Sequence, residues 1–84
     1  MNNYNQKFKL DDFVYCLKLD PNKSKIFKIK GYLPSGKIHL ESIYDGSRYD
    51  APENDLELIT DDEVFLQASI QDSIRLNDLY GVDE

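Results

Sequence analysis

Residues 25–40 read KIFKIKGYLPSGKIHL, and their pattern is the clearest indication of the fold. In its first half apolar side chains alternate with lysines, a period of two that is typical of a strand with one face in the core and its lysines in water. The middle letters LPSGK predict a tight hairpin, because proline presets φ at the first corner and glycine supplies the positive φ of a bulged exit. We therefore predict antiparallel strands over about residues 25–33 and 37–44, with a bulge or close backbone approach at Gly31.

Further strands are indicated on both sides of this hairpin. Residues 13–19 alternate with a period of two, which predicts a first strand whose odd-numbered residues form a buried face. Asp45-Gly46 predicts a two-residue hairpin with both φ angles positive, leading into a strand near residues 47–51. Residues 51–59 predict one tight helical turn followed by a short closing strand. Five short strands whose connecting loops become shorter along the chain favour a small closed barrel, which leaves no exposed sheet edge.

The last quarter of the chain predicts a single helix over residues 61–80. Thr60 is the expected N-cap, and Glu63, three residues later, completes a capping box. Gly81 stands where a left-handed C-terminal residue belongs. The predicted organisation is therefore a loose N-terminus over residues 1–6, a mainly β barrel over 7–59, a helical segment over 60–81 and a tail over 82–84.

The predicted helix carries two apolar groups when it is projected at about 100° per residue. The first group, interrupted by Asp72, consists of Val64, Phe65, Ala68, Leu76 and Leu79. The second, which we call the outer line, consists of Leu66, Ile70 and Ile74 at i, i+4 and i+8. A helix that lies on a barrel needs only one buried stripe. The outer line is therefore either an extra contact with the barrel or the N-terminal segment, or a surface for a partner, including a second copy in a homodimer.

Charge is divided unevenly along the chain, whose net charge is −6. Residues 1–40 carry eight lysines and three aspartates (8 − 3 = +5), and residues 41–84 carry two arginines and thirteen acids (2 − 13 = −11). The division indicates either an electrostatic partner or attraction between the two halves. The candidate basic patch consists of Lys23, Lys25, Lys28, Lys30 and Lys37. The candidate acidic surface consists of Asp61, Asp62, Glu63, Asp72 and Asp78.

No motif in the sequence indicates a catalytic, cofactor-binding or metal site. His39 is expected to be a solvated strand residue and Cys16 a small core residue. We therefore expect a protein that is not an enzyme and has no cofactor or metal. The longest apolar run is far too short for a membrane span, and the N-terminus lacks the apolar region of a signal peptide, so the expected location is the cytoplasm, without membrane contact.

The order of features over residues 12–59 resembles the Tudor and Src-homology-3-like families of small β-barrels. The matching stretches are DFV at 12–14, IFKI at 26–29, KIHL at 37–40, YDGS at 44–47 and DLELI at 55–59. Tudor domains that bind methylated lysine or arginine hold the alkylated cation in an aromatic cage. The resemblance therefore implies such a cage in this chain. The chain departs from that pattern, because Ser42 occupies a cage position and the turn reads Tyr-Asp-Gly instead of Asp-Tyr-Gly. Another aromatic surface is available from Tyr15, Phe27, Tyr44 and Tyr49.

These observations lead to three functional hypotheses. The leading one is a non-catalytic protein–protein interaction module that uses the barrel surface near Tyr44, Arg48 and Tyr49 together with the outer line. The second is a small acidic inhibitor, of the kind encoded by phages and mobile elements, that mimics nucleic acid toward a basic protein. The third, direct nucleic-acid binding through the basic patch, is disfavoured by the sequence pI of 4.6.

Overall fold

Five strands and one helix make up the fold in a computed structural model, which describes residues 8–80, with side chains through Asn77. The elements are β1 (Phe13–Cys16), β2 (Phe27–Tyr32), β3 (Ile38–Ser42), β4 (Arg48–Ala51), a 3-10 turn (Glu53–Asp55), β5 (Leu56–Leu58) and α1 (Asp62–Tyr80). The predicted mainly β fold with one C-terminal helix is confirmed. The predicted loose N-terminus, the Gly81 cap and the tail lie outside the described residues. No helix in the described part of the chain has the length and apolarity needed to cross a membrane.

The strands form a single antiparallel sheet in the order β4-β3-β2-β1-β5. Strands β4 and β5 therefore occupy the two ends of the hydrogen-bonding order. Both nevertheless contribute to the same core, through Ala51 of β4 and Leu56 of β5. The centre of that core is made by fully buried side chains, among them Val14, Cys16, Ile29, Ile38 and Leu40.

The hairpin between β2 and β3 has the predicted geometry. Gly36 N donates to Leu33 O at 2.9 Å, and Leu33 N donates to Lys37 O at 2.8 Å. Gly36 has a φ of +94°, the left-handed value that glycine adopts without a steric penalty. The predicted bulge is also confirmed, since the β2–β3 register shifts between Ile29 and Gly31.

The predicted two-residue hairpin at Asp45-Gly46 is wrong. Gly46 has a positive φ of 78°, but Asp45 does not. Gly46 N donates to Ser42 O at 3.0 Å and Ser42 N donates to Ser47 O at 2.8 Å, so the loop has four residues, 43–46. The reason is Ile43, which is completely buried. Its side chain occupies the core, so the chain reverses direction only after this residue.

The first strand is shorter than predicted and is buried differently. It ends at Cys16, whose carbonyl accepts a hydrogen bond from Asp20 N at 2.9 Å. The even-numbered residues Val14 and Cys16 are completely buried, whereas Leu19 is 50% exposed. Both faces of β1 are covered, since Val14 and Cys16 belong to one core cluster and Phe13 to another, and a simple alternation does not describe it.

The helix begins one residue later than the predicted cap requires. Asp61 Oδ1 accepts hydrogen bonds from Glu63 N at 2.9 Å and from Val64 N at 3.2 Å. Asp61 is therefore the N-cap, and the prediction of Thr60 is wrong. A carboxylate satisfies two free N–H groups and also interacts favourably with the positive end of the helix.

Candidate functional site

A buried cluster of charged side chains joins α1 to the sheet. Lys28 of β2 donates to Asp72 of α1 through an Nζ–Oδ2 contact of 2.7 Å. Arg75 Nη2 donates to Asp72 Oδ1 at 2.7 Å and to Glu41 Oε1 on β3 at 3.3 Å. All four residues are buried. We call Lys28, Glu41, Asp72 and Arg75 the ion cluster.

The ion cluster corrects two predictions. Lys28 was expected to face water as part of the basic patch, and Asp72 was expected on the acidic surface. The two residues instead neutralise each other in the interior, because a charge is buried at tolerable cost only beside an opposite charge that also hydrogen-bonds to it. Burial acts to raise the pKa of Asp72, but the hydrogen bonds from Lys28 and Arg75 outweigh this effect and lower it. Asp72 is therefore an ionised carboxylate inside the protein.

The ion cluster fixes which face of α1 points outward. Asp72 and Arg75 lie on the sheet side together with Ala68, which belongs to a second core cluster around Phe13 and Ile43. Residues on the opposite face of the helix are consequently directed to solvent. The outer line lies there, with Leu66 58%, Ile70 48% and Ile74 51% exposed. About half of each side chain is thus in solvent, so the predicted extra contact with the barrel does not bury the outer line, and the alternative contact with the N-terminal segment lies outside the described residues.

An open pocket of about 250 Å³ lies between the start of β2 and the loop that joins β3 to β4. Its aromatic walls are Phe27, Tyr44 and Tyr49. The rings of Phe27 and Tyr49 meet edge to face, with centroids 5.6 Å apart and planes at 89°. The remaining lining residues are Ser24, Lys25, Ser42 and Asp45. We call this site the aromatic pocket.

Ionised carboxylates stand at the edge of the aromatic pocket. Hydrogen bonds from Ser47 lower the pKa of Asp45. Asp20 lies beside the pocket, where its carboxylate accepts hydrogen bonds from Lys25 N at 2.6 Å and Ser24 Oγ at 3.0 Å. Burial acts to raise the pKa of Asp20, but these hydrogen bonds lower it overall.

The third aromatic wall, Tyr44, stays uncharged at neutral pH. Burial raises the pKa of its phenol above the usual value. Tyr44 therefore presents a neutral ring. The lining holds one carboxylate, Asp45, and one ammonium group, Lys25, and the Asp20 carboxylate is hydrogen-bonded to Ser24 and Lys25 of the lining.

The structure brings only some of the predicted aromatic residues together. Phe27, Tyr44 and Tyr49 line the pocket, whereas Tyr15 packs against the second core cluster. Ser42 lines the pocket at the position where the family resemblance implies a ring. Arg48 is outside the lining, and its Nε lies 3.9 Å from Glu41 Oε2. Ser24 and Asp20 could not be predicted as site residues, because residues 20–24, which read DPNKS, indicate only a turn.

The predicted basic patch is divided by its ion pairs. Lys23 Nζ lies 2.9 Å from Glu57 Oε1, and Lys30 Nζ lies 3.8 Å from Glu41 Oε1. With Lys28 in the ion cluster, Lys25 and Lys37 are the members of the patch for which the described residues show no ion pair. His39, half-buried on β3, contacts Asp50 Oδ1 at 3.0 Å through Nδ1.

The predicted acidic surface is exposed at the first turn of the helix. Asp62 and Glu63 are exposed there, next to the Asp61 cap. Asp72 is buried, and the side chain of Asp78 lies outside the described part of the chain.

Comparison of the chain with known proteins gives no relative. No family model, curated protein or solved structure matches it. The site must therefore be interpreted from its own geometry.

Proposed function

We propose that the protein is a non-catalytic protein-interaction module whose aromatic pocket receives one cationic side chain of a partner. The observation that carries this proposal is the pocket itself, with the exposed rings of Tyr44 and Tyr49, the buried Phe27 ring at right angles to Tyr49, and ionised Asp45 in its lining. A cation over the face of a tyrosine or phenylalanine ring is attracted by the ring quadrupole, and the attraction grows when the cation loses water.

The size and charge of the pocket suit a lysine or arginine head group, with or without alkyl groups. A cavity of about 250 Å³ holds one such group and not a folded element. The resemblance to Tudor-type barrels supports the same guest, although a hydroxyl at Ser42 replaces one expected ring. The finer assignment to a closed Src-homology-3-like barrel is part of this proposal, supported by the core that both edge strands share. So is the cytoplasmic location expected from the sequence.

The proposal is tested with tetramethylammonium and its uncharged analogue of similar shape, tert-butanol. Each is titrated into isotopically labelled protein, and the amide shifts of pocket residues Ser24, Ser42 and Asp45 are followed by NMR. We expect saturable shifts with tetramethylammonium and much weaker ones with tert-butanol. Tyr49→Leu should remove the response, because it deletes one ring and leaves an apolar side chain.

Phe65→Leu provides the matched control, since Phe65 is an exposed aromatic residue outside the pocket lining. This variant should keep the wild-type response. Equal shifts with both probes, or shifts that survive Tyr49→Leu, would refute cation recognition by the aromatic pocket.

The two alternative functions receive less support from the same geometry. Nucleic-acid binding through the basic patch is less favoured because Lys28 is buried and therefore cannot contact phosphates. Lys23 and Lys30 lie beside carboxylates, which compete with phosphates for them. Mimicry of nucleic acid is less favoured because Asp72 is buried and does not contribute to the acidic surface. We therefore retain the protein-interaction module as the proposed function.

A further inference from the structure

We propose that the outer face of α1 is a second binding surface, and that its partner is a basic amphipathic segment of another protein. This surface is separate from the aromatic pocket, whose lining includes no residue of α1. The proposal rests on the exposure of the outer line, on the charges that bound it and on the location of the one cation that the helix carries.

The outer line is apolar, and the sequence places an aspartate one helical turn beyond each of its ends. Stepping by four residues along α1 gives Asp62, Leu66, Ile70, Ile74 and Asp78. The three aliphatic side chains are each about half exposed, and Asp62 is exposed at the N-terminal end. Asp78 holds the last place by sequence position. At a rise of about 1.5 Å per residue, the helix positions from 62 to 78 span about 24 Å.

The outer face offers no positive charge to a partner. Arg75 is the one basic residue in the sequence of α1, and it is buried in the ion cluster. The exposed charges at the first turn are Asp62 and Glu63. The surface is thus an apolar stripe with negative charge beside it, which complements a segment that carries an apolar stripe of its own and lysines or arginines at its ends.

A second copy of the chain is a poor occupant of this surface. If two helices paired antiparallel about Ile70, the Asp62 end of each helix would face the Asp78 end of the other. If they paired parallel, each end would face its own equivalent. Both arrangements place like charges together, which destabilises the complex.

The test uses a designed, fluorescently labelled helical peptide of about five turns. It carries leucines at three successive i+4 positions and lysine one turn beyond each end. A matched peptide has glutamate at the two end positions. Binding is measured by anisotropy at low and moderate salt. We expect the lysine peptide to bind and to bind more weakly as salt is added, and we expect the glutamate peptide not to bind.

Variants of the protein locate the peptide. Ile70→Asp should weaken binding at least about tenfold, because it puts a charge in the centre of the apolar contact. Asp62→Asn combined with Glu63→Gln should weaken it by about two- to fivefold, the effect of exposed charge pairs. Asn54→Asp, an exposed site in the 3-10 turn, adds the same charge as Ile70→Asp away from the helix and should leave binding unchanged.

Three outcomes would overturn the proposal. They are an absence of peptide binding, equal binding of the two peptides, and a wild-type dimer in light scattering that Ile70→Asp converts to monomer. Tyr49→Leu should bind the lysine peptide as wild type does, which distinguishes this surface from the aromatic pocket. A loss of peptide binding in Tyr49→Leu would likewise contradict the assignment to α1.

Discussion

The two faces of α1 both depart from the usual pattern of an amphipathic helix. The face toward the sheet buries an aspartate and an arginine, whereas the face toward solvent carries three large aliphatic side chains. An ordinary surface helix has its apolar stripe in the core and its charges in water. The inner face departs from this pattern because Lys28 and Glu41 of the sheet supply opposite charges at hydrogen-bonding distance.

This difference separates residues that hold the helix in place from residues that are free to bind. The ion cluster fixes the rotation of α1, and its members cannot be removed singly without leaving a buried charge. Substitution of a residue in the outer line leaves no buried charge without a partner. We therefore expect substitutions on the inner face to change stability and substitutions on the outer face to change binding.

The largest effect should come from removing the carboxylate at the centre of the ion cluster. Asp72→Ala leaves Lys28 and Arg75 buried without their shared partner, and loss of one member of a buried ion pair costs about 3–5 kcal/mol. The free energy of unfolding is measured in urea. Asp62→Ala removes an exposed acid of the same helix and should change it by less than about 0.5 kcal/mol. Similar values for the two variants would show that the cluster does not hold α1.

The second-largest effect should be a loss of folding stability at acid pH, through protonation of Asp72. Because hydrogen bonds from Lys28 and Arg75 outweigh desolvation and lower the pKa of Asp72 in the folded state, its stabilisation is complete above the unfolded pKa, about 4. That stabilisation is lost as the pH falls through the folded pKa. Wild type should therefore lose more stability than Asp72→Asn between about pH 5 and pH 2. Asp20 and Asp45, whose pKa values are also lowered, are present in both proteins, so the difference between the two curves reports Asp72.

A smaller effect is expected at the start of the helix. Asp61→Ala removes the acceptor for Glu63 N and Val64 N and should cost about 1 kcal/mol. Thr60→Ala is the matched control and should have almost no effect, contrary to the expectation from the sequence alone. If thermal unfolding shows a loss for Thr60→Ala and none for Asp61→Ala, the cap assignment must be reversed.

The elements of the fold could be predicted because their signals are local. The alternation in residues 25–40, the glycine of the Leu33–Lys37 turn and the acidic start of the helix each depend on a few neighbouring residues. The loop at Asp45-Gly46 could not be predicted in detail, since its length is set by the burial of Ile43, a tertiary contact. The Thr60 prediction failed because two adjacent residues were both competent caps.

The candidate site was harder to predict, because its parts come from distant segments. Asp72 was visible as an interruption of an apolar face, but its partner Lys28 lies 44 residues away in a strand whose lysines all fit a solvent-facing pattern. The aromatic pocket likewise joins the start of β2 to the β3–β4 loop. The outer line, in contrast, follows from helical spacing within one element, and the sequence was sufficient to name its three residues.

The smallest change in stability should come from the centre of the outer line. Ile70→Asp places a charge where the side chain is already 48% exposed, so it leaves no cavity and buries no charge. We expect the free energy of unfolding to change by less than about 0.5 kcal/mol in urea, the usual range for surface substitutions. A loss of several kcal/mol would mean that Ile70 packs against the protein itself. The comparison between the two faces of α1 would then fail, because both faces would hold the fold together and neither would be free for a partner.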